Sequence, residues 1–411
     1  MFSFFGLYIA KSIKSFSFLR LFQENCVTLH SNNDNEKTGN MISNITIENY
    51  KSIINVSLPL GRFNLLIGAN GCGKTNILEG IALGAAASSD KLDYEYFGNR
   101  GIRIVEPRFM LPAFEDVVTN LIQVCVTDKN GYETVLDIRY DKNAKPARWV
   151  NDNEYDMEEE AQSEDISNSD NDDVVKYVIR GKKLFAIPTN ADLNPFIIYS
   201  LEESKLRRAD DSNRIYPLGR HGEGLFAYLK DLSQRPEGAE IFAEIKENMI
   251  ILDWFDDMQV PSGQLSMEFN LKLKDGYLDE TINTFDQRST NEGFLYLLFY
   301  FTLVISDEAP KFFAIENIDT AFNPKLCREV IKRLVELAKK HDKQIIATTH
   351  NPAILDGLDL SDDEQKLMVV QRSIDGYTKV RTLKKEQVVN SDLPLSQLWL
   401  RGFIGGLPNN F

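Results

Sequence analysis

The segment Gly68–Thr75, GANGCGKT, constrains this chain more than any other feature, because it is rich in glycine and ends in a lysine and a hydroxyl residue. Its glycines let backbone N–H groups turn inward without Cβ clashes. Inward-facing N–H groups at the start of a helix bind phosphate oxygens. The segment therefore predicts a phosphate-binding loop in a nucleotide-binding protein.

The residues on either side give this loop the setting it needs. Phe63–Ile67 is a short apolar run typical of a buried strand, and Asn76–Ala87 carries apolar residues at helical spacing. In that setting Lys74 can reach the β- and γ-phosphates, and the Thr75 hydroxyl can ligate Mg²⁺. We therefore expect ATP and Mg²⁺ as cofactors. The nucleotide-binding residues predicted here are Gly68, Asn70, Gly71, Cys72, Gly73, Lys74, Thr75 and Asn76.

Two later strand candidates are followed by polar side chains. Glu316 follows Phe312–Ile315, and His350 follows Gln344–Thr348. A carboxylate directly after four apolar residues is costly unless it meets a cation, so we predict that Glu316 binds Mg²⁺ together with Thr75. The alternative is a structural ion pair. His350 is expected at the sheet edge where α/β proteins bind ligands, which favours a γ-phosphate contact over a structural role.

Helix and strand patterns towards the C-terminus indicate crossover connections. Phe294–Ile305 and Pro324–Lys340 have helical patterns, and each precedes one of the buried strands named above. Strand, helix and strand at this spacing predict an α/β fold with a parallel or mixed sheet. The predicted division is a head formed by 41–90 and 286–390, an inserted α+β arm or lid at 91–285, and an apolar tail at 391–411.

Charge and hydropathy restrict the setting and the partners. The chain has a formal net charge of −15. Residues 151–174 contain eleven acidic residues and no Lys or Arg, so they account for most of this charge. We interpret this segment as a flexible, solvated insert, with a docking tail for a basic partner as the alternative. Nucleic acid remains possible as a partner, but the charge does not indicate it.

No apolar run reaches the roughly eighteen residues of a membrane span. The four cysteines suit neither C-x-x-C metal pairs nor a disulfide framework, so we expect a reducing, cytoplasmic setting. Together with the lack of a long apolar run, this predicts a protein without membrane contact.

Residues 1–40 are ambiguous. Phe2–Ala10 is apolar, but Lys11 and Lys14 follow it, whereas a signal peptide would place its positive charges first. We expect a disordered leader or a mis-assigned start. An ordered extra helix and a targeting segment are the alternatives.

In this order, the motifs resemble the ABC-type ATPase heads of the RecF, SMC and OLD-like group, especially the prokaryotic predicted ATPases classed as AAA_21. The resemblance covers residues 41 to about 383. Ile45–Ile53 and Leu66–Asn76 resemble the start of that family, and Gly222–Leu229 resembles its mid-chain motif. The resemblance implies an ABC-type P-loop head that forms a head-to-head dimer with two ATPs between the heads.

The same resemblance assigns further residues. Ser289–Gly293 resembles the signature loop that closes over ATP of the other subunit, although Asn291 stands where serine is usual; Gly293 fits the pattern. The family has a second acid after the metal-binding one to activate water, but Asn317 follows Glu316 here. An amide cannot accept a proton at neutral pH. We expect slow hydrolysis, unless Asp319 replaces the missing base. The catalytic residues predicted in this way are Glu316, Asn317 and His350.

These expectations favour an ATPase that senses or gates for a separate effector, such as a nuclease, in bacterial anti-phage or toxin-like defence. Only about thirty residues follow the last motif segment, so we expect any nuclease on another chain. The first rival is a RecF-like repair ATPase that binds DNA directly; a transporter ATPase subunit and a metabolic kinase are weaker. The apolar segment Leu395–Leu407 is expected either to pack on its own head or to dock a partner.

Overall fold

In a computed structural model of the chain, the described residues are 41–115, 117, 119–151, 176–180, 183–187, 193, 195–207, 217–260, 271–388 and 393–407, with 176–180 and 183–187 described by their backbone. The predicted leader, 1–40, lies outside these residues. So does the predicted acidic segment, apart from Asn151.

The described strands are numbered in chain order: β1 (Ile42–Tyr50), β2 (Ile53–Pro59), β3 (Phe63–Ile67), β4 (Leu121–Asp128), β5 (Glu133–Asp141), β6 (Arg148–Asn151), β7 (Lys176–Arg180), β8 (Lys183–Ile187), β9 (Ile198–Tyr199), β10 (Phe255–Gln259), β11 (Lys272–Asp275), β12 (Thr284–Asp286), β13 (Phe312–Ile315), β14 (Gln344–Thr348), β15 (Gln365–Arg372) and β16 (Thr378–Leu383). The helices are α1 (Lys74–Ser88), α2 (Tyr94–Arg100), α3 (Glu203–Leu206), α4 (Leu225–Leu232), α5 (Gly238–Met249), α6 (Glu292–Ile305), α7 (Pro324–Lys340) and α8 (Leu395–Leu400). Short 3₁₀ helices span Pro107–Phe109, Pro352–Gly357 and Lys385–Gln387.

The central sheet has six strands in the order β16-β15-β3-β14-β13-β9. Its pairs are parallel except for β15 with β16, so the predicted parallel or mixed α/β sheet is confirmed. The predicted strands Phe312–Ile315 and Gln344–Thr348 have the bounds expected from the sequence. Because parallel strands end at the same edge, the residues that follow β3, β13 and β14 meet there.

Helices cover one face of this sheet. Alternate residues of β3 and β13, such as Leu65 and Phe313, join a core with α6 and α7. Helix α6 is apolar and buried along almost its whole length, as expected for a helix enclosed on all sides. Helix α7 instead has one apolar face, begins with Asn323 as its cap and has proline in its first turn, as its sequence predicts.

The opposite face packs on helix α1 and on an antiparallel sheet of order β2-β1-β4-β5-β6. Strand β4 pairs with β1 on the side away from β2. Both β4 and the central-sheet strand β9 come from the segment 91–285. The two sheets of the head therefore take strands from the segment predicted as an inserted arm. The same segment also forms the three-stranded sheet β10-β11-β12 and the pair β7-β8.

Over the part of the chain that the structure describes, no helix combines the length and the apolar character needed to cross a membrane.

Lys343 is an unusual core residue, because its side chain is buried at the amino-terminal edge of β14. Its ammonium donates to the backbone oxygens of Ser306 (2.6 Å) and Ala309 (2.8 Å) in the turn after α6. Burial lowers its pKa from an ordinary value near 10.5 to about 8. Between these two pH values, the unfolded chain binds a proton that the folded chain has lost.

We predict that the contribution of Lys343 to the free energy of unfolding rises as the pH increases from 8 towards 10.5. In this range the unfolded state binds more protons than the folded state, so raising the pH favours the folded state. Urea unfolding of wild type and Lys343→Met across this range should show a difference that grows with pH. Lys332→Met, which removes an exposed lysine of α7, is the matched control and should differ from wild type by a constant amount. A pH-independent difference for Lys343→Met would contradict the prediction.

Candidate functional site

The loop Gly68–Gly73 connects β3 to α1 and requires glycine at three positions. Gly68, Gly71 and Gly73 all have positive φ (153°, 73° and 113°). A Cβ at Gly68 would lie 2.2 Å from the Val370 oxygen, and one at Gly73 would lie 2.1 Å from the Thr378 hydroxyl. Around Gly71 no described atom lies within 4 Å of such a Cβ, so the loop is open there. Gly71 and Asn70 form its exposed apex.

Lys74 begins α1, and its side chain folds back over the loop. Its ammonium donates to the backbone oxygens of Gly68 (2.7 Å) and Ala69 (3.1 Å). Burial lowers its pKa, while the nearby Cys72 and Glu316 oppose that shift. The Cys72 thiol is itself buried beneath the loop, 3.8 Å from the ammonium.

Thr75 and Glu316 join two distant parts of the chain at the carboxyl edge of the central sheet. The Thr75 hydroxyl donates to the Glu316 carboxylate at 2.6 Å. Glu316 directly follows β13, and its backbone N–H donates to Tyr199 of the neighbouring β9 at 2.8 Å. A hydroxyl and a carboxylate oxygen are hard donors of the kind that Mg²⁺ prefers, so these two residues fit a magnesium ion that takes its other ligands from phosphate and water.

The residues after β13 and β14 form a second contact at the same edge. Asn317 is exposed, has φ of 52° and donates its backbone N–H to the Thr348 hydroxyl at 3.0 Å. Asp319 accepts a hydrogen bond from the buried Thr349 hydroxyl at 2.6 Å. His350 is exposed beside them. Desolvation and the Lys74 ammonium lower its pKa, although Asp319 opposes them. The three predicted catalytic residues thus lie at one sheet edge.

Asn76 belongs to a chain of polar contacts beneath the loop. Its side-chain amide donates to the Ser52 hydroxyl (2.7 Å) and accepts from Arg103 (2.8 Å). Ser52 in turn bonds to the Thr378 hydroxyl at 2.7 Å, and Thr378 donates to the Cys72 carbonyl oxygen at 3.0 Å. This network links the β1–β2 turn and β16 to the loop. Sequence reasoning missed Ser52 and Thr378, because their partners are far away along the chain.

A buried cluster of charges lies one turn further along α1. Glu79 is fully buried and accepts from Arg103 Nε (2.6 Å), from the Tyr50 hydroxyl (3.3 Å) and from the Lys51 ammonium. Burial alone would raise the pKa of Glu79, but its hydrogen bonds with Arg103 and Lys51 hold that pKa below its ordinary value. The carboxylate is therefore ionised, and it fixes two cations beside the phosphate-binding loop. A glutamate at a core position of the helix is the only sequence signal for this cluster.

The same cations border a cavity of about 440 Å³ next to the loop. Arg372, at the end of β15, closes one side and donates to the Gly71 oxygen at 3.0 Å. Phe114 closes another and stacks edge-on against Tyr377, with ring centroids 4.7 Å apart. The lining is thus cationic and aromatic; its residues are Lys51, Ser52, Asn76, Arg103, Val105, Phe109, Leu111, Ala113, Phe114 and Arg372.

The predicted signature residues lie at the start of α6. The Asn291 side chain accepts from the Phe294 N–H at 2.9 Å, so asparagine serves as the helix cap. A Cβ at Gly293 would lie 3.2 Å from the Ala321 oxygen in the loop before α7. Among the described residues, neither Asn291 nor Gly293 is hydrogen-bonded to the phosphate-binding loop. One chain therefore brings together Thr75, Glu316 and His350 but does not add the signature residues to them.

The C-terminal segment packs against the head and reaches the same loop. Helix α8 is fixed by Ser396, whose N–H and hydroxyl both donate to Asp356 in the 3₁₀ helix that follows His350 (2.9 and 2.7 Å). Trp399 of α8 is buried. A Cβ at Gly406 would lie 3.4 Å from Gly68 Cα, so this segment borders the first residue of the loop.

The fold is that of an ABC-type ATPase head, as solved structures show. The chain is similar to the crystal structure of an SMC head bound to the C-winged helix domain of ScpA (TM-score 0.51, 16% identity, covering 85% of this chain and 100% of that one). It is also similar to the SMC head domain with an extended coiled coil bound to the C-terminal domain of ScpA from Pyrococcus furiosus (TM-score 0.53, 14% identity, covering 85% and 98%). At these identities the likeness shows the fold. None of the curated proteins matches the chain.

The profile of the AAA_21 family, described as "AAA domain, putative AbiEii toxin, Type IV TA system", matches residues 63–356. The chain belongs to this family. The resemblance predicted from the motifs is therefore confirmed, and the protein is an ATPase of the AAA_21 type with an SMC-like head. The matched range runs from the strand before the phosphate-binding loop to just beyond His350.

We predict that Glu79→Gln lowers the free energy of unfolding by roughly 2–4 kcal/mol, because two cations lose a buried carboxylate. Urea unfolding followed by circular dichroism would measure the change. Glu95→Gln, in the exposed first turn of α2, is the matched control and should stay within about 0.5 kcal/mol of wild type. An equally small effect for Glu79→Gln would contradict the prediction.

Proposed function

We propose that this chain binds ATP with Mg²⁺ at the loop Gly68–Gly73, hydrolyses it slowly, and uses the nucleotide state to gate a separate effector protein. The observation that carries this proposal is the 2.6 Å contact between the Thr75 hydroxyl and the Glu316 carboxylate at the mouth of the loop. It brings the two predicted metal ligands to one point. Bound there, Mg²⁺ would neutralise charge on the phosphates.

The loop supports phosphate binding through its backbone and one cation. The first N–H groups of α1 have no acceptor within the helix and carry its positive dipole, so they attract phosphate oxygens. Lys74 now donates to Gly68 and Ala69 oxygens. In the complex its ammonium would turn to the phosphates, which are stronger acceptors because they are charged.

The cavity beside the loop suits the nucleoside. Arg103 and Arg372 flank it, Phe109 and Phe114 supply aromatic surface, and the volume of about 440 Å³ is within the range of ligand sites. A purine base is planar and apolar on its faces, and it stacks on aromatic rings and guanidinium groups. We place the base and ribose here.

The active form in this proposal is a head-to-head dimer. Asn291 and Gly293 lie at the amino-terminal end of α6, where a helix dipole suits a phosphate, but their described contacts are within α6 and with the loop before α7. A second copy would bring these residues over the nucleotide of the first. The site that one chain presents would then be half of a shared one.

Slow hydrolysis follows from Asn317. The residue is exposed next to Glu316 and carries an amide, which cannot act as a general base. Asp319 has the needed carboxylate, but one of its oxygens is held by Thr349. We therefore propose that ATP serves mainly as a held signal. His350 would contact the γ-phosphate as a hydrogen-bond donor.

We predict that Asn317→Glu raises the single-cycle hydrolysis rate by about 10²-fold or more, since it restores a carboxylate that activates water. Single-turnover assays with radiolabelled ATP would measure it. Asn317→Gln keeps the amide on a longer side chain and should hydrolyse at the wild-type rate. Equal rates for wild type and the glutamate variant would remove the main support for a missing base.

The gating role rests on the family and on the exposed part of the C-terminal segment. The family description names a toxin of a toxin–antitoxin system, and the two SMC heads were solved with a domain of a separate protein. In this chain, Leu400 and Phe403 are 57% and 69% exposed, although Trp399 beside them is buried. We propose that these apolar side chains dock a cytoplasmic effector, such as a nuclease, in anti-phage or toxin-like defence.

We predict that Leu400→Glu with Phe403→Glu abolishes co-purification of the effector, because charges replace the apolar contact, while ATP binding and the melting temperature stay unchanged. The test is co-expression with the proteins encoded beside this gene, followed by affinity purification in ATP. Ile282→Glu, an exposed apolar residue between β11 and β12, is the control and should retain the effector. Retention by the double variant would exclude this docking surface.

A further inference from the structure

The turn Gly219–Gly224 directly precedes α4, and its conformation is tightly specified. Gly219 and Gly222 have positive φ (70° and 91°). A Cβ at Gly219 would lie 2.5 Å from the Glu223 side chain, and one at Gly222 would lie 2.3 Å from Leu206. The two residues between these glycines, Arg220 and His221, are therefore presented in a fixed orientation.

This turn is bonded to the end of β9, the neighbour of the strand that carries Glu316. The Ser200 N–H donates to the Arg220 oxygen at 3.1 Å, and the His221 ring bonds to the Ser200 oxygen at 2.6 Å. The preceding residue, Tyr199, accepts from the Glu316 N–H at 2.8 Å. The backbone thus places Arg220 at the same sheet edge as the carboxylate predicted to bind magnesium.

The Arg220 guanidinium has more donors than partners. A guanidinium has five N–H groups. The Arg220 Nη1 atom donates a long hydrogen bond of 3.3 Å to the Gly98 oxygen. Its Nε is buried and has no hydrogen-bond partner among the described residues. The Arg220 side chain packs closely against Gly101, where a Cβ would lie only 3.2 Å from Nε. The absence of a side chain at Gly101 therefore makes room for the guanidinium. A buried donor without an acceptor is costly, which favours a role for Arg220 in binding a ligand.

The charges around Arg220 also favour a role in binding a ligand. Burial lowers the pKa of Arg220, and the Glu316 carboxylate is the largest of the charges that oppose this shift. Glu316 also opposes the lowering of the Lys74 pKa by burial. Lys74, at the start of α1, and Arg220, in the turn before α4, therefore both experience the negative charge of Glu316. A magnesium ion bound to Glu316 would leave both cations available to phosphate oxygens.

We propose that Arg220 contacts the terminal phosphate of the bound nucleotide and so makes the site distinguish ATP from ADP. This inference rests on the proposed binding of ATP at the loop. The planar guanidinium can donate two parallel hydrogen bonds to phosphate oxygens, which a lysine cannot do. Arg220 would then supply, within the same chain, a cation that responds to loss of the γ-phosphate.

Arg100 is the matched control, because it lies in the same corner and its guanidinium has two hydrogen-bond acceptors and an aromatic ring to stack on. It donates to the Tyr96 hydroxyl (2.8 Å) and to the Phe196 oxygen (3.3 Å), and it stacks over the Tyr96 ring. Its replacement removes one positive charge near the site without removing the proposed phosphate contact.

The test measures equilibrium binding of Mg²⁺-ATP and Mg²⁺-ADP by wild type, Arg220→Gln, Arg220→Lys and Arg100→Gln, with a melting temperature for each. Losing a hydrogen bond to a charged group should weaken ATP binding by Arg220→Gln roughly 10- to 100-fold, with ADP binding changed less than about twofold. Arg220→Lys should fall between that variant and wild type, and Arg100→Gln should keep the wild-type ratio of the two affinities.

An unchanged ATP/ADP ratio in both Arg220 variants would overturn the inference. So would an equal loss for both nucleotides. If Arg220→Gln does not fold, the ratio measured for Arg220→Lys decides. Failure of wild type to bind either nucleotide would instead refute the proposed function, so the two failures are distinguishable.

Discussion

The hydrogen bond from Thr75 to Glu316 is the contact on which the candidate site depends. It joins the first turn of α1 to the end of β13, two segments about 240 residues apart in sequence. The parallel sheet makes it possible, because β3, β14 and β13 are neighbours whose carboxyl ends share one edge. Everything placed at that edge, including the loop, His350 and Asp319, takes its position from these strands.

A second constraint acts from the antiparallel sheet. The fully buried Glu79 ties helix α1 to the β1–β2 turn through Lys51 and to the segment after α2 through Arg103. A buried carboxylate is tolerated when it is paired and hydrogen-bonded on several sides. Its position makes the two cations part of the cavity beside the phosphate-binding loop. The stability of the head and the shape of the nucleotide cavity therefore depend on the same residue.

The parts of the fold that the sequence predicts well are those set by local pattern. Phe312–Ile315 and Pro324–Lys340 have the expected bounds, because a short apolar run and a capped amphipathic helix identify themselves. The pairing of β4 with β1 is not local, and alternating hydrophobicity does not reveal a strand's partner. The segment 91–285 therefore could not be assigned in detail from its sequence.

The same distinction applies to the site. Gly68–Thr75, Glu316 and His350 could be proposed from the sequence, because each follows a recognisable strand and has a chemical reason to be there. Their roles in binding and catalysis stay predictions. Ser52, Thr378 and Arg220 could not be proposed in this way, since their relevance arises only when β16 and the turn before α4 reach the loop and the sheet edge.

The central claim is that the loop Gly68–Gly73 holds the phosphates of ATP, with Lys74 as the principal cation. Equilibrium binding of ATP in Mg²⁺, measured by calorimetry on wild type and Lys74→Ala, tests it most directly. We predict saturable binding by wild type and a loss of roughly 100-fold or more for the variant, with its circular dichroism spectrum and melting temperature retained. Equal affinities for the two proteins, or no binding by a folded wild type, would contradict this claim.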